Sequence, residues 1–203
     1  MDCKWRRLPR IQYKPMNGNE RKQEFMRKFI QGLGHRIGGL ALLAALILQC
    51  NPVSAADATL VYLVRHAEKS TTGDDPELTD EGRQRALELA TLLRDAGIEA
   101  IYSTDFNRTR ATALPLARQL GLEIRIYEWS RMDDLARTFI QNGGRYLVVG
   151  HSDTTPELVG LLGGDPGPPI DEAGEYDRLY VVGVSPDGKV STQLRRYGKP
   201  YLP

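Results

Sequence analysis

Cysteine is scarce in the 203-residue chain, which contains only Cys3 and Cys50. Both lie in residues 1–55, a segment that we predict to be a leader preceding a domain at residues 56–203. Without a cysteine of its own, that domain can form no disulfide, use no thiolate nucleophile and hold no cysteine-ligated zinc.

An apolar run long enough to cross a bilayer is also missing, since about 20 residues are needed. Residues 37–48 form an uninterrupted run of only twelve apolar residues and glycines. Basic residues precede this run and the small residues Val53-Ser54-Ala55 follow it, as in a signal peptide. We therefore predict cleavage after Ala55 or Ala56, export to the periplasm or the medium, and no stable membrane insertion after cleavage.

The leader in front of the apolar run is long, and Met26 offers a second start. A chain that begins there has a signal peptide of ordinary size, so we predict that Met26 is the true start. Two alternatives stay open. One is an uncleaved membrane anchor, and the other is a lipid anchor on Cys50, which the bulky Gln49 disfavours.

The chain has no strong net charge, but its charges are unevenly distributed. Residues 1–55 contain 10 Lys/Arg and 3 Asp/Glu, whereas residues 56–203 contain 17 and 23. A domain with this acidic excess has no general attraction for nucleic acid or anionic lipid. We therefore expect no nucleic-acid partner, and any bound anion must be held by a local basic cluster.

Strand and helix patterns alternate along the domain. Strands are predicted at residues 59–64, 100–102, 122–127, 146–149, 179–184 and 190–195, and helices at 80–95, 106–120, 131–141 and 156–162. Four strand-then-helix units predict an α/β fold, a three-layer α/β/α domain with a mainly parallel central sheet. The turn sequence Pro186–Lys189 predicts a closing hairpin that adds an antiparallel edge.

The predicted domain has two histidines, His66 and His151, and each follows an apolar strand. Both are expected at the carboxyl edge of the sheet, where such folds bind ligands. Arg65 adjoins the first histidine, and Arg108 and Arg110 begin the second helix at the same edge. Because arginine makes forked contacts with phosphate, this cluster in an acidic domain predicts a phosphoryl site. Salt bridges to nearby carboxylates are the structural alternative.

Four segments in order resemble motifs of the histidine phosphatase superfamily, which includes phosphoglycerate mutases, phytases and phosphohistidine phosphatases. LVRHAEKS resembles its Arg-His-Gly motif, with Ala67 in place of the glycine. LTDEGRQRA resembles its helix start, STDFNRTRATA its segment with a second arginine, here Arg108, and VVGHSDTTP its strand end at His151. The resemblance covers residues 58–197, and the chain looks like a small, compact member that resembles the phosphohistidine phosphatases.

This resemblance implies a phosphomonoester hydrolase without metal or cofactor. His66 would attack phosphorus and form a phosphohistidine, which water then hydrolyses. Arg65, Arg108 and His151 would hold the non-bridging oxygens of the phosphoryl group. We disfavour a metal site on the two histidines, since the adjacent arginines would repel a cation.

The leaving group needs a proton from a carboxylic acid. We favour Asp153, just after the second histidine, over Glu128 after the third strand, with Glu175 and Asp177 as further candidates.

Two other functions stay open. A catalytically silent module that binds phosphoryl ligands would keep the arginines but would not need His66. A phosphotransferase of the phosphoglycerate mutase type would need a bisphosphorylated partner.

The short connection between Glu128 and Arg131 predicts an open pocket. Phosphorylated small molecules or phosphoproteins are therefore the expected partners.

Overall fold

The computed structural model describes residues 58–202. The predicted leader, its start at Met26, its cleavage site and the alternative lipid anchor at Cys50 lie outside these residues and stay predictions. Within residues 58–202, no helix is both long and apolar enough to cross a membrane.

Strands and helices alternate through most of the described residues. Strands β1 to β6 are Thr59–Arg65, Ala100–Ser103, Ile124–Ile126, Gly144–Gly150, Arg178–Val184 and Val190–Arg196. Helices α1 to α4 are Asp80–Leu93, Asn107–Leu120, Met132–Asn142 and Thr154–Leu161, and a short 3₁₀ helix, Trp129–Arg131, precedes α3.

The strands form one sheet in the order β3-β2-β4-β1-β5-β6. The pairs β3–β2, β2–β4 and β4–β1 are parallel. The pairs β1–β5 and β5–β6 are antiparallel. The predicted mainly parallel sheet with an antiparallel hairpin at its edge is therefore confirmed.

Both faces of the sheet are covered by helices. In one core, Leu63 of β1 packs with Phe139 of α3 and Leu158 of α4. In the other core, Val64 of β1 packs with Leu89 of α1 and with α2. Successive residues of a strand point to opposite faces, so one strand supplies both cores. This arrangement is the predicted three-layer α/β/α domain.

The connection from β4 to α4 is only three residues long and contains His151. The sequence pattern predicted a helix start at Pro156, but α4 begins at Thr154. The reason is a cap, because the Asp153 carboxylate accepts a hydrogen bond from the Thr154 N–H at 2.7 Å. The short connection keeps His151 at the carboxyl edge of the sheet.

The segment that follows His66 is fixed by its contact with the start of α1. The Thr79 N–H donates to the Glu68 carbonyl at 2.9 Å, and the Gly82 N–H donates to Thr79 Oγ1 at 3.1 Å. A Cβ atom on Gly82 would lie 2.2 Å from the Glu68 carbonyl oxygen. Glycine is therefore required here because the helix approaches this backbone so closely.

Candidate active site

The two histidines predicted from the sequence lie side by side in the structure. His66 follows β1 and His151 follows β4, and these strands are parallel neighbours. The His66 N–H donates to the Gly150 carbonyl at 2.9 Å. The imidazole centroids are 5.4 Å apart, with the rings at 69° to each other. A single group the size of a phosphoryl can therefore contact both rings.

The ring of His66 is held in one orientation by its own chain. Its Nδ1 lies 2.8 Å from the Ala67 carbonyl oxygen, and the residue is only 2 % exposed. A carbonyl only accepts hydrogen bonds, so Nδ1 must carry the proton. In the neutral ring, Nε2 then keeps the lone pair that nucleophilic attack requires.

Burial and neighbouring charges keep both rings neutral. Burial lowers the pKa of His66 to about 3. The hydrogen bond to Ala67 opposes this shift, and the charges of Arg65, His151 and Arg108 add to it. For His151, burial and then the positive charge of Arg108 lower the pKa to about 4. Both imidazoles are therefore uncharged at neutral pH, which suits a nucleophile.

We expect NMR titration to show both histidines neutral at pH 5. An unfolded chain binds a proton at each histidine near pH 6.5, but the folded protein does so near pH 3 for His66 and pH 4 for His151. Stability should therefore fall as the pH drops below about 6.5, by at most about 1.4 kcal/mol per pH unit for each histidine. His151→Gln assigns the signal of His151, and His35→Gln removes that of the third histidine in the chain. A signal of His66 or His151 that titrates between pH 6 and 7 would contradict this expectation.

Arg65 binds the segment between α4 and β5. Its Nη1 donates to the carbonyls of Asp171 and Glu175, each at 3.1 Å, and its Nη2 donates to the carbonyl of Glu172 at 2.9 Å. The Glu172 carboxylate lies 3.2 Å from Nη2, and the guanidinium lies 4.1 Å from the ring centroid of Tyr176. Arg65 is therefore both a charge beside His66 and the anchor of this loop.

Arg108 has fewer contacts with the protein. Its Nη1 lies 3.5 Å from an Asp75 oxygen, and its guanidinium lies 4.3 Å from the ring centroid of Phe106. Arg110, which the sequence placed in the same cluster, contacts Asp105 and Asn107 instead. Of the two arginines that begin α2, only Arg108 lines the cleft beside His151.

Two arginine N–H groups are buried without a partner. The Nε atoms of Arg65 and Arg108 have no hydrogen-bond partner among residues 58–202. A buried donor without a partner costs about 1–3 kcal/mol, so each of these N–H groups is suited to donate to an acceptor that binds there. Because both guanidinium charges also act on His66, the ligand that they suit is an anion beside that ring.

A cleft of about 480 Å³ opens at this edge of the sheet. Eight residues line it: Phe106, Arg108, Trp129, His151, Ser152, Asp153, Thr154 and Glu172. This volume is in the range of small-molecule sites. The His151 Nε2 atom lies 3.0 Å from Thr104 Oγ1, which fixes the ring against the cleft wall.

The two carboxylates favoured as the acid occupy different places. Asp153 lines the cleft, whereas Glu128 is exposed and is not among the residues that line it. Glu172, which the sequence analysis did not single out, also lines the cleft, where its carboxylate accepts a hydrogen bond from Ser152. Glu172 belongs to a loop without periodic pattern, so no local signal in the sequence points to it.

Glu175 and Asp177 are held in ion pairs. Glu175 lies 2.6 Å from Arg178 and 2.7 Å from Arg196, and Asp177 lies 2.5 Å from Arg196. Burial by itself would raise the pKa of Glu175, but hydrogen bonds from Arg178, the Asp171 N–H and Arg196 outweigh it and lower the pKa to about 2. Its arginine partners hold Glu175 in the ionised form, and it does not line the cleft, so we do not assign it as the acid.

Comparison with known sequences matches part of the chain to a family. Residues 61–138 match the model of the histidine phosphatase superfamily, branch 1. The probable phosphoglycerate mutase GpmB of Escherichia coli is 39% identical over 71 residues, which cover 32% of this chain and 33% of GpmB. The chain thus matches about a third of the length of this relative.

Solved structures share the fold at low sequence identity. The protein histidine phosphatase SixA, complexed with tungstate, has a TM-score of 0.56 at 17% identity, covering 68% of this chain and 97% of SixA. A mycobacterial glucosyl-3-phosphoglycerate phosphatase has a TM-score of 0.53 at 14% identity, covering 69% of this chain and 98% of that protein. Phosphoserine phosphatase from Entamoeba histolytica, in complex with 3-phosphoglyceric acid, has a TM-score of 0.51 at 19% identity. The match covers 70% of this chain and 98% of that protein.

These structures establish the fold and not the substrate. The family match at residues 61–138 includes the segments that carry His66 and Arg108, and it agrees with the fold. Over residues 61–138 the chain is therefore similar to the histidine phosphatase superfamily, and its described residues share the fold of the solved phosphatases.

Proposed function

We propose that the protein is a phosphomonoester hydrolase that works through a phosphohistidine on His66. The observation that carries this proposal is the pairing of a neutral imidazole with two buried, unpartnered guanidinium donors, on Arg65 and Arg108. The ring supplies a nucleophile at neutral pH. The donors supply a site for the anion that the nucleophile attacks.

In the first step, Nε2 of His66 attacks phosphorus and the bond to the leaving oxygen breaks. The leaving oxygen takes a proton from Asp153, which we prefer to Glu128 because Asp153 lines the cleft and Glu128 does not. In the second step, water attacks the phosphohistidine while the Asp153 carboxylate accepts its proton. Inorganic phosphate leaves, and His66 is neutral again.

Arg65, Arg108 and His151 hold the non-bridging oxygens in this scheme. Donors placed where charge develops in the transition state typically contribute about 10²–10³-fold in rate each. The scheme includes no metal or cofactor, because the guanidinium groups of Arg65 and Arg108 supply the positive charge that faces the phosphoryl oxygens.

The proposed substrates are phosphorylated small molecules or phosphoproteins in the compartment to which the leader directs the protein. The proposal keeps the expectation of export to the periplasm or the medium. The proteins of similar fold include phosphatases whose names specify a phosphorylated sugar acid, phosphoserine or a protein histidine. They support the reaction class without selecting a substrate.

The test is a hydrolysis assay on the purified protein with p-nitrophenyl phosphate, and separately with 3-phosphoglycerate plus 2,3-bisphosphoglycerate. We expect steady release of nitrophenol and phosphate from the first substrate. A mutase would instead interconvert 3- and 2-phosphoglycerate faster than it releases phosphate. A silent binding module would turn over neither substrate, although phosphate would still bind. Either of these two outcomes would overturn the proposal.

A further inference from the structure

The cleft has an aromatic wall that the phosphoryl chemistry leaves unused. Trp129 lines the cleft, yet 60 % of it is exposed. It lies on the 3₁₀ helix that follows β3, and the proposed mechanism gives it no role. A large exposed aromatic side chain beside a reacting centre indicates a surface that the leaving group covers.

Before any substrate binds, each arginine of the candidate site lies close to a carboxylate, so the charges of the site are nearly balanced. The Arg65 guanidinium lies 3.2 Å from the Glu172 carboxylate, and the Arg108 guanidinium lies 3.5 Å from the Asp75 carboxylate. A phosphomonoester brings roughly −1.5 to −2 charges at neutral pH. The occupied site is therefore negative, and Glu172 belongs to the part of the site that lines the cleft.

An anionic leaving group would be repelled by the Glu172 carboxylate, which lines the cleft. A cationic leaving group would be attracted by it. Ammonium groups also bind over the face of tryptophan, which is the best of the aromatic side chains for this contact. The aromatic wall and the local negative charge therefore both favour a cationic leaving group.

Resting on the proposed function, we infer that the preferred substrates are small phosphomonoesters of amino alcohols. Their ammonium group binds in the cleft against Trp129 and the Glu172 carboxylate. These two side chains determine specificity, and the chemistry at phosphorus is unchanged. Phosphoglycerate and other esters with a carboxylate in the leaving group are poor substrates for the same electrostatic reason.

The experiment compares esters that differ in charge. Phosphocholine has a neutral analogue of nearly the same shape in 3,3-dimethylbutyl phosphate, and 3-phosphoglycerate supplies the anionic case. At low salt we expect kcat/KM for phosphocholine to exceed that for the neutral analogue about tenfold, with 3-phosphoglycerate lower still. Added salt should reduce the ratio because it screens exposed charges.

Variants assign the effect to residues. Trp129→Ala and Glu172→Gln should each bring the ratio of phosphocholine to its neutral analogue down toward one, mainly through KM for phosphocholine. The matched control is Glu123→Gln, an exposed carboxylate just before β3 and therefore at the opposite edge of the sheet. It removes the same charge from the protein and should leave the ratio unchanged.

The outcomes separate this inference from the proposed function. Failure to hydrolyse any ester, p-nitrophenyl phosphate included, would overturn the proposed function. Hydrolysis that depends on His66 but shows equal kcat/KM for the three alkyl esters, or a preference for the anionic one, would overturn only the substrate class. A ratio that persists in both Trp129→Ala and Glu172→Gln would show that the assigned residues do not bind the cation.

Discussion

Replacing His66 by alanine should lower kcat/KM for p-nitrophenyl phosphate by at least about 10³-fold. The reason is geometric, since of the two histidines in residues 58–202 only His66 has a proton fixed on Nδ1 by a carbonyl, at 2.8 Å, and Nε2 left as the nucleophile. His151 cannot replace it readily, because its Nε2 already lies 3.0 Å from Thr104 Oγ1 and the ring centroids are 5.4 Å apart.

The phosphoenzyme itself provides the decisive measurement. Rapid quenching with a labelled substrate should trap a phosphoryl group that is lost in acid and retained in base, as expected for phosphohistidine. His66→Ala should give no label, while His151→Ala should still give some because it keeps the nucleophile. Circular dichroism of both variants checks that the fold is intact. A label that survives acid would place the phosphoryl group on a hydroxyl such as Ser152 and refute the assignment.

The position of both histidines at one edge of the sheet could be predicted from the sequence because it follows from a general rule of parallel sheets. Residues just beyond the carboxyl ends of neighbouring parallel strands meet at one edge. His66 and His151 follow such strands, and β1 and β4 are neighbours with Arg65 opposite Gly150. The pattern of apolar runs therefore predicts a shared edge, whereas the strand order that makes the two histidines neighbours is seen only in the structure.

The loop that lies against Arg65 could not be predicted in this way. Arg65 donates hydrogen bonds to Asp171, Glu172 and Glu175, more than 100 residues further along the chain. Local periodicity carries no information about such contacts, because the loop has no regular structure. From the sequence, Arg65 is predicted to bind phosphate or to form a salt bridge with a nearby carboxylate, and neither prediction includes this loop or Glu172.

The choice among the acidic residues is a second feature that could not be predicted from the sequence. Asp153 and Glu175 are both carboxylates near the ends of regular elements, and their sequence surroundings do not separate them. The structure does, because Arg178 and Arg196 surround Glu175 and hold its pKa near 2, whereas Asp153 lines the cleft. The role of a carboxylate depends on whether it is buried beside a charged partner. Tertiary packing decides this, and the local sequence does not.

The two arginines of the site should respond differently to the same truncation. Arg65→Ala and Arg108→Ala should each lower kcat/KM for p-nitrophenyl phosphate about 10²–10³-fold, since each removes a guanidinium from the phosphoryl site. Only Arg65→Ala should also lower the free energy of unfolding substantially, by about 1–3 kcal/mol for each buried carbonyl left without a donor. Arg108, which has one ion pair at 3.5 Å, leaves no such group behind.

Urea denaturation of the two variants, beside their activity on the same ester, tests this difference. Arg65→Lys adds a control in which the charge is kept and the planar fork is lost, so both activity and stability should remain reduced. If Arg65→Ala lost stability but kept activity, Arg65 would serve only to hold the loop at residues 171–176. The buried Nε of Arg65 would then have no part in binding phosphate, and Arg108 and His151 alone would have to offset the charge of the transition state.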